Sequence, residues 1–420
     1  MDKLVIEGGK PLKGEVKIGG SKNAALPIMA ATLLTDEPCV IRNVPKLRDT
    51  MTMIKLLRSL GKNIDFTDNK LTITSKGVLN YVADYRLVST MRGSFCVLGP
   101  LLAKLGIAKV SLPGGCIIGV RPVDLHIKGI KALGAKIEIN SGYVIAKSKR
   151  LKGTHIYLGG VFGSSVLATA NVMMAAVLAE GETIIESAAC EPEVEDLTNC
   201  LIEMGAKIKG VGSPRLTITG VRRLYGVNYK IIPDRIEAGT FILLAAATRS
   251  QFIIKDACYQ YLMALVDVLN QVGINVIHKD NQVTVKAGRK FQSVSVTTHP
   301  YPGFPTDLQA QFLALMALAD GISVITDRVY PDRFIHIAEL NRMGANIRRE
   351  GGNAIVQGVK HLYGAPVMAS DLRASAALVV AGLAAKGRTD VNRMYHLERG
   401  YEDLDKKLLG LGAKVWREKE

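Results

Sequence analysis

Aromatic side chains are scarce in this 420-residue sequence: phenylalanine, tyrosine and tryptophan together make up 5%, with a single tryptophan. No run matches the aromatic strand of an RNP-type RNA-binding sheet, so that mode of nucleic-acid recognition is excluded. Hydrophobic residues still reach 48% and charged residues only 22%. The core must therefore be aliphatic and alanine-rich, in a packed protein rather than a disordered one. Cysteines are few and scattered, at positions 39, 96, 116, 190, 200 and 258, without a Cys-x-x-Cys pair. That spacing fits neither a zinc site nor a disulfide framework and leaves reduced thiols as the expectation.

The start, Met1-Asp2-Lys3-Leu4-Val5-Ile6-Glu7, lacks the charged-then-apolar order of a signal peptide, and a cytoplasmic location is expected. One long uncharged stretch exists, Gly159 to Ala179, but Gly, Ser, Thr and Asn interrupt it, and a buried helix is expected there rather than a membrane span. Acidic residues are outnumbered, 38 against 54 basic, for a net charge of +16. Nucleic acid, an anionic membrane surface and small anionic substrates would each suit that charge, and charge alone does not choose among them. The basic run Lys147-Ser148-Lys149-Arg150-Leu151-Lys152 is short and reads as a solvated strand end.

What the chain does have is a repeat. Gly61, Gly134, Gly205, Gly273, Gly344 and Gly412 each follow an amphipathic stretch of helical period, such as Asp49 to Leu60, at separations of 73, 71, 68, 71 and 68 residues. A glycine at that place is the left-handed cap that ends a helix. Two short alternating segments around a polar turn come next, as in Lys136 to Ala146, and read as a hairpin. A second, more apolar helix follows: Lys22 to Leu34, Met91 to Leu105, Ser164 to Ala179, Asp234 to Ala247, Asp307 to Ala319 and Asp371 to Ala385. A β-rich segment closes each unit, so the unit is about β-α-β-α-β-β, and helices this apolar belong inside a ring of sheets. The sixth glycine has too little chain after it for a hairpin, while Lys3 to Gly8 resembles the missing strand. Three units per domain give a first domain over 22–232 and a second over 1–21 plus 233–420, with a cleft expected between them.

The apolar helices carry their polar residues at their starts: Lys22-Asn23, Arg92, Asp234, Asp307, and Asp371 with Arg373. Helix N-termini offer unpaired N–H groups and a positive dipole end, which suits phosphate. Capping is the plainer reading of the Asp and Asn residues, whereas Lys and Arg at a helix start oppose the dipole and call for another reason. A second cluster lies in the connection Leu112-Pro-Gly-Gly-Cys116-Ile-Ile-Gly-Val-Arg121-Pro122. A cysteine between glycines with an arginine five residues on is the best candidate for a reactive thiol, because cationic and dipolar surroundings lower its pKa. Cys96, inside an apolar helix, reads as core packing.

Five linked motifs then resemble a known family. They are Gly20-Ser21-Lys22-Asn23-Ala24, Pro113-Gly114-Gly115-Cys116 with Arg121 to His126, Pro233 to Glu237, Tyr301 to Asp307, and Asp371 to Ser375, joined by His396 to Tyr401. Together they resemble the enolpyruvyl transferases that act on UDP-N-acetylglucosamine, the UDP-N-acetylglucosamine 1-carboxyvinyltransferase family. The likeness spans nearly the whole chain. It implies a two-domain inverse α/β barrel, or α/β prism, of six β-α-β-α-β-β repeats, three per domain. It implies transfer of the enolpyruvyl group of phosphoenolpyruvate to the sugar 3'-hydroxyl with release of phosphate, the first committed step of peptidoglycan precursor synthesis. No metal and no organic cofactor is implied, and the oligomeric state is left open.

On the same footing, Cys116 matches the family's proton donor and Asp307 its proposed base. Lys22, Arg121 and Arg399 match residues that hold phosphoenolpyruvate, and Asn23 one at the reacting centre. Arg92, Pro122, Val123, Asp124, Leu125 and Val329 match nucleotide-sugar contacts, with Arg373 among the substrate-binding residues. His126, Glu191, Asp234, Arg333 and Asp371 match supporting cleft residues. One segment departs: Gly159-Gly160-Val161-Phe162-Gly163-Ser164-Ser165 is a few residues longer than the family's short turn, so nucleotide contacts there are not carried over. The rival readings are 3-phosphoshikimate 1-carboxyvinyltransferase, which shares the fold but not the Cys116 loop, and a non-catalytic basic repeat protein that binds RNA.

Overall fold

The computed structural model describes residues 2–75, 77–114, 123–288 and 290–419. They form two compact units, one of residues 20–232 and one of residues 2–19 with 233–419. The two have the same internal plan, and each has its own hydrophobic core.

The unit of residues 20–232 is built around three helices buried nearly all round: α1 (Lys22–Ala31), α2 (Leu98–Leu105) and α3 (Val166–Ala176). Every residue from Ala24 to Ala31 and from Ala168 to Ala176 is buried, which is why these stretches lack charge along their length. Small residues let their backbones approach: a Cβ on Gly99 of α2 would stand 2.1 Å from the carbonyl oxygen of Asn171 in α3. The other unit repeats this with α4 (Arg235–Ala247), α5 (Thr306–Met316) and α6 (Leu372–Ala384). Each fully buried Leu or Ile in these cores contributes roughly 1.5–3 kcal/mol relative to exposure.

Six four-stranded sheets, three per unit, surround the helices. Each has one plan. A three-residue edge strand or its shorter equivalent lies parallel to the strand that follows a buried helix, and that strand is antiparallel to a hairpin. His155–Tyr157 thus pairs in parallel with Glu182–Glu186, across α3, and Glu182–Glu186 pairs with Arg215–Thr219 of the next hairpin. Burial alternates along the strands, as in Arg215–Thr219, where Leu216 and Ile218 face inward. Two edge strands come from far along the chain: Asn228–Lys230 lies beside Cys39–Arg42, and Glu15–Lys17 beside Ile253–Lys255. Asp2–Glu7 lies inside the sixth sheet, between Arg388–Asn392 and Lys414–Lys419.

Six amphipathic outer helices precede the hairpins, and each ends at a glycine of the repeat. Gly61, Gly134, Gly205, Gly273, Gly344 and Gly412 have φ of 103°, 90°, 99°, 89°, 88° and 80°, a conformation that strains any side chain. The second buried helix differs from expectation. Arg92–Val97 is 3-10 and the α-helix begins only at Leu98. Pro100 supplies the reason: it has no N–H for the carbonyl of Cys96 and is tolerated only in a first α-turn. The uncharged stretch from Gly159 contributes an 11-residue helix; among the described residues no helix is long and apolar enough to cross a membrane.

Candidate active site

In the unit of residues 2–19 and 233–419, the starts of α5 and α6 bring their polar residues together. Asp307, in the first turn of α5, is not a cap; the N-cap is Pro305, which has no side-chain acceptor. Its carboxylate is instead held by two guanidiniums. Arg333 Nη1 donates to Oδ1 at 2.7 Å and Arg373 Nη2 to Oδ2 at 2.9 Å. Both arginines are almost wholly buried, while the Asp307 side chain keeps 25% exposure. Burial alone would raise the Asp307 pKa, but the charges of Arg373 and Arg333, with their hydrogen bonds, outweigh it and hold the carboxyl well below the usual carboxylate range.

A buried polar network braces this trio. Tyr401 Oη lies 2.8 Å from Thr240 Oγ1 and accepts from Arg373 Nη1 at 3.3 Å and from Gln311 Nε2 at 3.3 Å. On the other side, Arg333 Nη1 also donates to Thr306 Oγ1 at 3.2 Å, and Thr306 donates to Asp327 Oδ2 at 2.7 Å. Asp327 Oδ1 in turn accepts the N–H groups of Val329 and Tyr330, which fixes the turn that carries Val329. His336 is buried beside Arg333 and Asp371; burial first, with the charge of Arg333, lowers its pKa to about 4.

Capping accounts for two of the helix-start acids. Asp234 accepts from the N–H groups of Ile236 and Glu237 at 2.8 and 3.1 Å, and Asp371 from Arg373 and Ala374 at 2.8 and 3.1 Å. Both still contribute charge, Asp371 to Arg333 and Asp234 to Arg373. Below Asp234, Glu237 accepts from Gly19 N at 2.8 Å and from Lys407 Nζ at 2.6 Å, with side chains 4% and 18% exposed. Burial raises the Glu237 pKa, against the pull of Lys407. Arg399 ends the 3-10 turn Met394–Arg399 and is partly exposed.

In the other unit, Lys22 opens α1 next to Asn23, with Ser21 as the cap. Its Nζ stands 3.3 Å from Asp49 Oδ2, the side chains 12% and 7% exposed, so an acid on the neighbouring helix offsets a cation the dipole disfavours. Arg92 starts the 3-10 turn, and His126 lies buried nearby. Asn171 Nδ2 and His126 Nδ1 are 3.0 Å apart, and the Phe95 ring meets the imidazole edge to face. Burial, with the charge of Arg92 second, lowers the His126 pKa to about 3. Val123 caps the helix Asp124–Ala132, leaving Asp124 exposed and Leu125 half-buried. Glu191 caps Pro192–Glu203 through its carbonyl, which accepts from Val194 and Glu195. Cys116, Arg121 and Pro122 lie outside the described residues. Cys96 is fully buried and its thiol is pushed up to about 12 by burial, as a packing cysteine should be.

The unusual segment after Leu158 forms a tight turn. Gly160 and Gly163 exchange backbone hydrogen bonds of 2.9 and 3.1 Å, leaving Val161 and Phe162 at the tip, 96% and 58% exposed. It runs against Leu125, whose side chain would stand 3.1 Å from a Cβ on Gly160.

Known proteins agree with this architecture along the full length. The chain is 53% identical over 420 residues to a protein of Geotalea uraniireducens named UDP-N-acetylglucosamine 1-carboxyvinyltransferase, covering 100% of both. It is 50% identical to the protein of that name from Methylacidiphilum infernorum, covering 99% of each. The family model described as EPSP synthase (3-phosphoshikimate 1-carboxyvinyltransferase) matches residues 6–408. The chain belongs to the enolpyruvyl transferase family. Among solved structures, the enolpyruvyl transferase NikO from Streptomyces tendae superposes with a TM-score of 0.90 at 26% identity, covering 100% of this chain and 99% of the other. An EPSP synthase from Acinetobacter baumannii, at TM-score 0.76 and 18% identity over both chains in full, shares the fold.

In this enolpyruvyl transferase the geometry unites three residues that the sequence could only name separately, Asp307, Arg333 and Arg373. It also adds Tyr401, Gln311, Thr240 and Asp327, which sequence reasoning missed. Tyr401 stood in a family-like motif, and Gln311 lies one helical turn after Asp307, on the same face; that spacing was the available signal. Nothing local marked Thr240 or Asp327.

Proposed function

We propose that the chain transfers the enolpyruvyl group of phosphoenolpyruvate to the 3'-hydroxyl of UDP-N-acetylglucosamine and releases phosphate, in the cytoplasm. The observation that carries this reading is identity above half, over the whole length, to relatives bearing that activity in their name. The chemistry divides into two proton movements. Protonation of the substrate's methylene carbon makes C2 electrophilic, and the Cys116 thiol is the donor in this reading. The 3'-hydroxyl then bonds to C2 and gives up its proton, with Asp307 as the acceptor. Loss of a proton from the new methyl group and departure of phosphate restore the double bond.

The clamp on Asp307 bears on that role. A carboxylate held by two guanidiniums is a weak base, so both arginines cannot stay fully engaged while it accepts a proton. An anionic substrate group that draws off Arg333 or Arg373 would raise its basicity as the substrate arrives. Lys22, Arg121 and Arg399 are assigned to the phosphate and carboxylate of phosphoenolpyruvate, and Asn23 to the reacting centre. Arg92, Pro122, Val123, Asp124, Leu125 and Val329 are assigned to the nucleotide sugar. Arg373 and Arg333 keep Asp307 in place, and Asp234, Asp371, His126 and Glu191 support the helix starts.

The deciding experiment measures phosphate released from phosphoenolpyruvate with and without UDP-N-acetylglucosamine. Release that depends on the nucleotide sugar is expected. Turnover with shikimate 3-phosphate and none with UDP-N-acetylglucosamine would replace this reading with the shikimate one.

A further inference from the structure

Asp327 ends the strand Ile322–Asp327 and is 1% exposed. Among the described residues its donors are Thr298 Oγ1 at 2.8 Å, Thr306 Oγ1 at 2.7 Å and the N–H groups of Val329 and Tyr330 at 3.0 and 2.7 Å. A carboxylate supplied in this way is fixed in orientation and tolerates burial through its hydrogen bonds. Its two oxygens divide the partners. Oδ1 takes Thr298 and both N–H groups, the pattern of an Asx turn, which would shape the segment by itself. Oδ2 takes Thr306, and no turn needs that bond.

The extra bond leads to Asp307. Thr306 has one hydroxyl hydrogen and gives it to Asp327, so its oxygen is left to accept from Arg333 Nη1 at 3.2 Å. The same nitrogen donates to Asp307 Oδ1 at 2.7 Å. Arg333 is also tied to the turn through its backbone: its N–H donates to Tyr330 O at 3.0 Å, and its guanidinium lies 5.9 Å from the centroid of the Tyr330 ring. These connections close a ring. From Asp327 the main chain runs through Val329 and Tyr330 to Arg333, and the Arg333 side chain returns through Thr306 to Asp327. The Val329 turn therefore cannot shift without moving the guanidinium or leaving a buried Asp327 oxygen unpaired, which is costly.

We propose that Asp327 is a positioning residue that couples the nucleotide-sugar contact at Val329 to the hold of Arg333 on Asp307. The inference rests on the proposed transfer reaction, in which Val329 touches the nucleotide sugar and Asp307 accepts the proton of its 3'-hydroxyl. A turn anchored at both ends presents Val329 in one place and spares the sugar the cost of ordering it. The docked sugar in turn holds the same ring, and with it the guanidinium that governs the basicity of Asp307.

Thr306→Val cuts the ring while leaving every Oδ1 bond of the turn in place, and Thr306→Ser keeps the hydroxyl. Calorimetric titration with UDP-N-acetylglucosamine, without phosphoenolpyruvate, and steady-state phosphate release are measured on the full chain as wild type, as Thr306→Val, Thr306→Ser and Asp327→Asn, and as the Thr306→Val, Asp327→Asn double variant. Thr306→Val is expected to weaken nucleotide-sugar binding about fivefold and to lower kcat about tenfold, with KM for phosphoenolpyruvate unchanged. Thr306→Ser should restore both. The double variant should fall short of the sum of its single effects, since both substitutions remove the same bond. Unchanged sugar affinity in folded Thr306→Val, no recovery with serine, or full additivity overturns the proposal, and the Thr306 pair keeps the test decisive if Asp327→Asn misfolds. Wild-type turnover with any of those three outcomes refutes this inference alone. Wild-type protein that neither binds nor turns over the nucleotide sugar refutes the transfer reading and this inference with it.

Discussion

The Arg373 guanidinium reaches across 66 positions of sequence to Asp307, Nη2 to Oδ2 at 2.9 Å, and Arg333 closes the other oxygen of the same carboxylate. The trio is a shared-charge unit, and removing its one anion strands two buried cations. Asp307→Asn is expected to abolish turnover and to cost about 3–5 kcal/mol of stability at neutral pH. The sign of the pH dependence follows from the depressed carboxyl pKa. The stabilisation is complete above the ordinary carboxyl value near 3.9 and is lost as pH falls below it toward the folded value. Urea unfolding of wild type and variant should show a constant gap from pH 7 to about pH 5 and a narrowing one below pH 4.

The Glu237–Lys407 pair behaves in the opposite sense. Burial raises the Glu237 pKa, so the neutral acid is the form the fold tolerates when its partner is gone. Lys407→Met should destabilise the protein by about 3 kcal/mol near pH 8, because an uncompensated carboxylate is then buried. The deficit should shrink toward pH 5 as Glu237 takes up a proton. Parallel denaturation curves at both pH values test this; an equal deficit at the two would mean that the lysine acts through packing alone.

Two histidines should be silent in the ordinary titration range. His126 and His336 have pKa values lowered by burial to about 3 and about 4, whereas an unfolded histidine takes its proton near 6.5. Their ring-proton NMR signals should stay at neutral positions down to pH 5. Each therefore adds a loss of stability as pH falls below about 6.5, at most about 1.4 kcal/mol per pH unit for each ring, and His126→Asn and His336→Asn should each reduce that slope.

Cys116 is tested covalently. The epoxide antibiotic fosfomycin alkylates the cysteine of this family, so it should inactivate the enzyme and label Cys116, as read by peptide mass spectrometry. Cys116→Ala should lose both labelling and turnover. Fully inhibited protein with an unmodified Cys116 would refute the role assigned to that thiol.

The fold was legible because its signals are local and recur. The six cap glycines and the charge-free helices can be read within windows of a dozen residues, and the isolated strand Lys3 to Gly8 pointed to the incomplete sixth hairpin. The 3-10 start at Arg92 was not seen, since it depends on Pro100 eight residues on and was masked by an unbroken apolar pattern. Individual helix-start residues were legible, but not their partners. Asp234, Asp307 and Asp371 look alike in sequence, yet two cap their helices and the third neutralises two arginines. That distinction arises from side chains brought together over 26 and 66 positions, which no local pattern encodes.

The placement of Asp2–Glu7 between Arg388–Asn392 and Lys414–Lys419 sets an order of events on the ribosome. Among the described residues, the sheets of residues 20–232 draw only on strands from within that span, so this unit can close while the remainder is still being made. The first strand has no such option. It must wait, with Leu4, Val5 and Ile6 uncovered, until Arg388–Asn392 and Lys414–Lys419 have emerged, and over that interval these apolar residues are open to a nascent-chain chaperone.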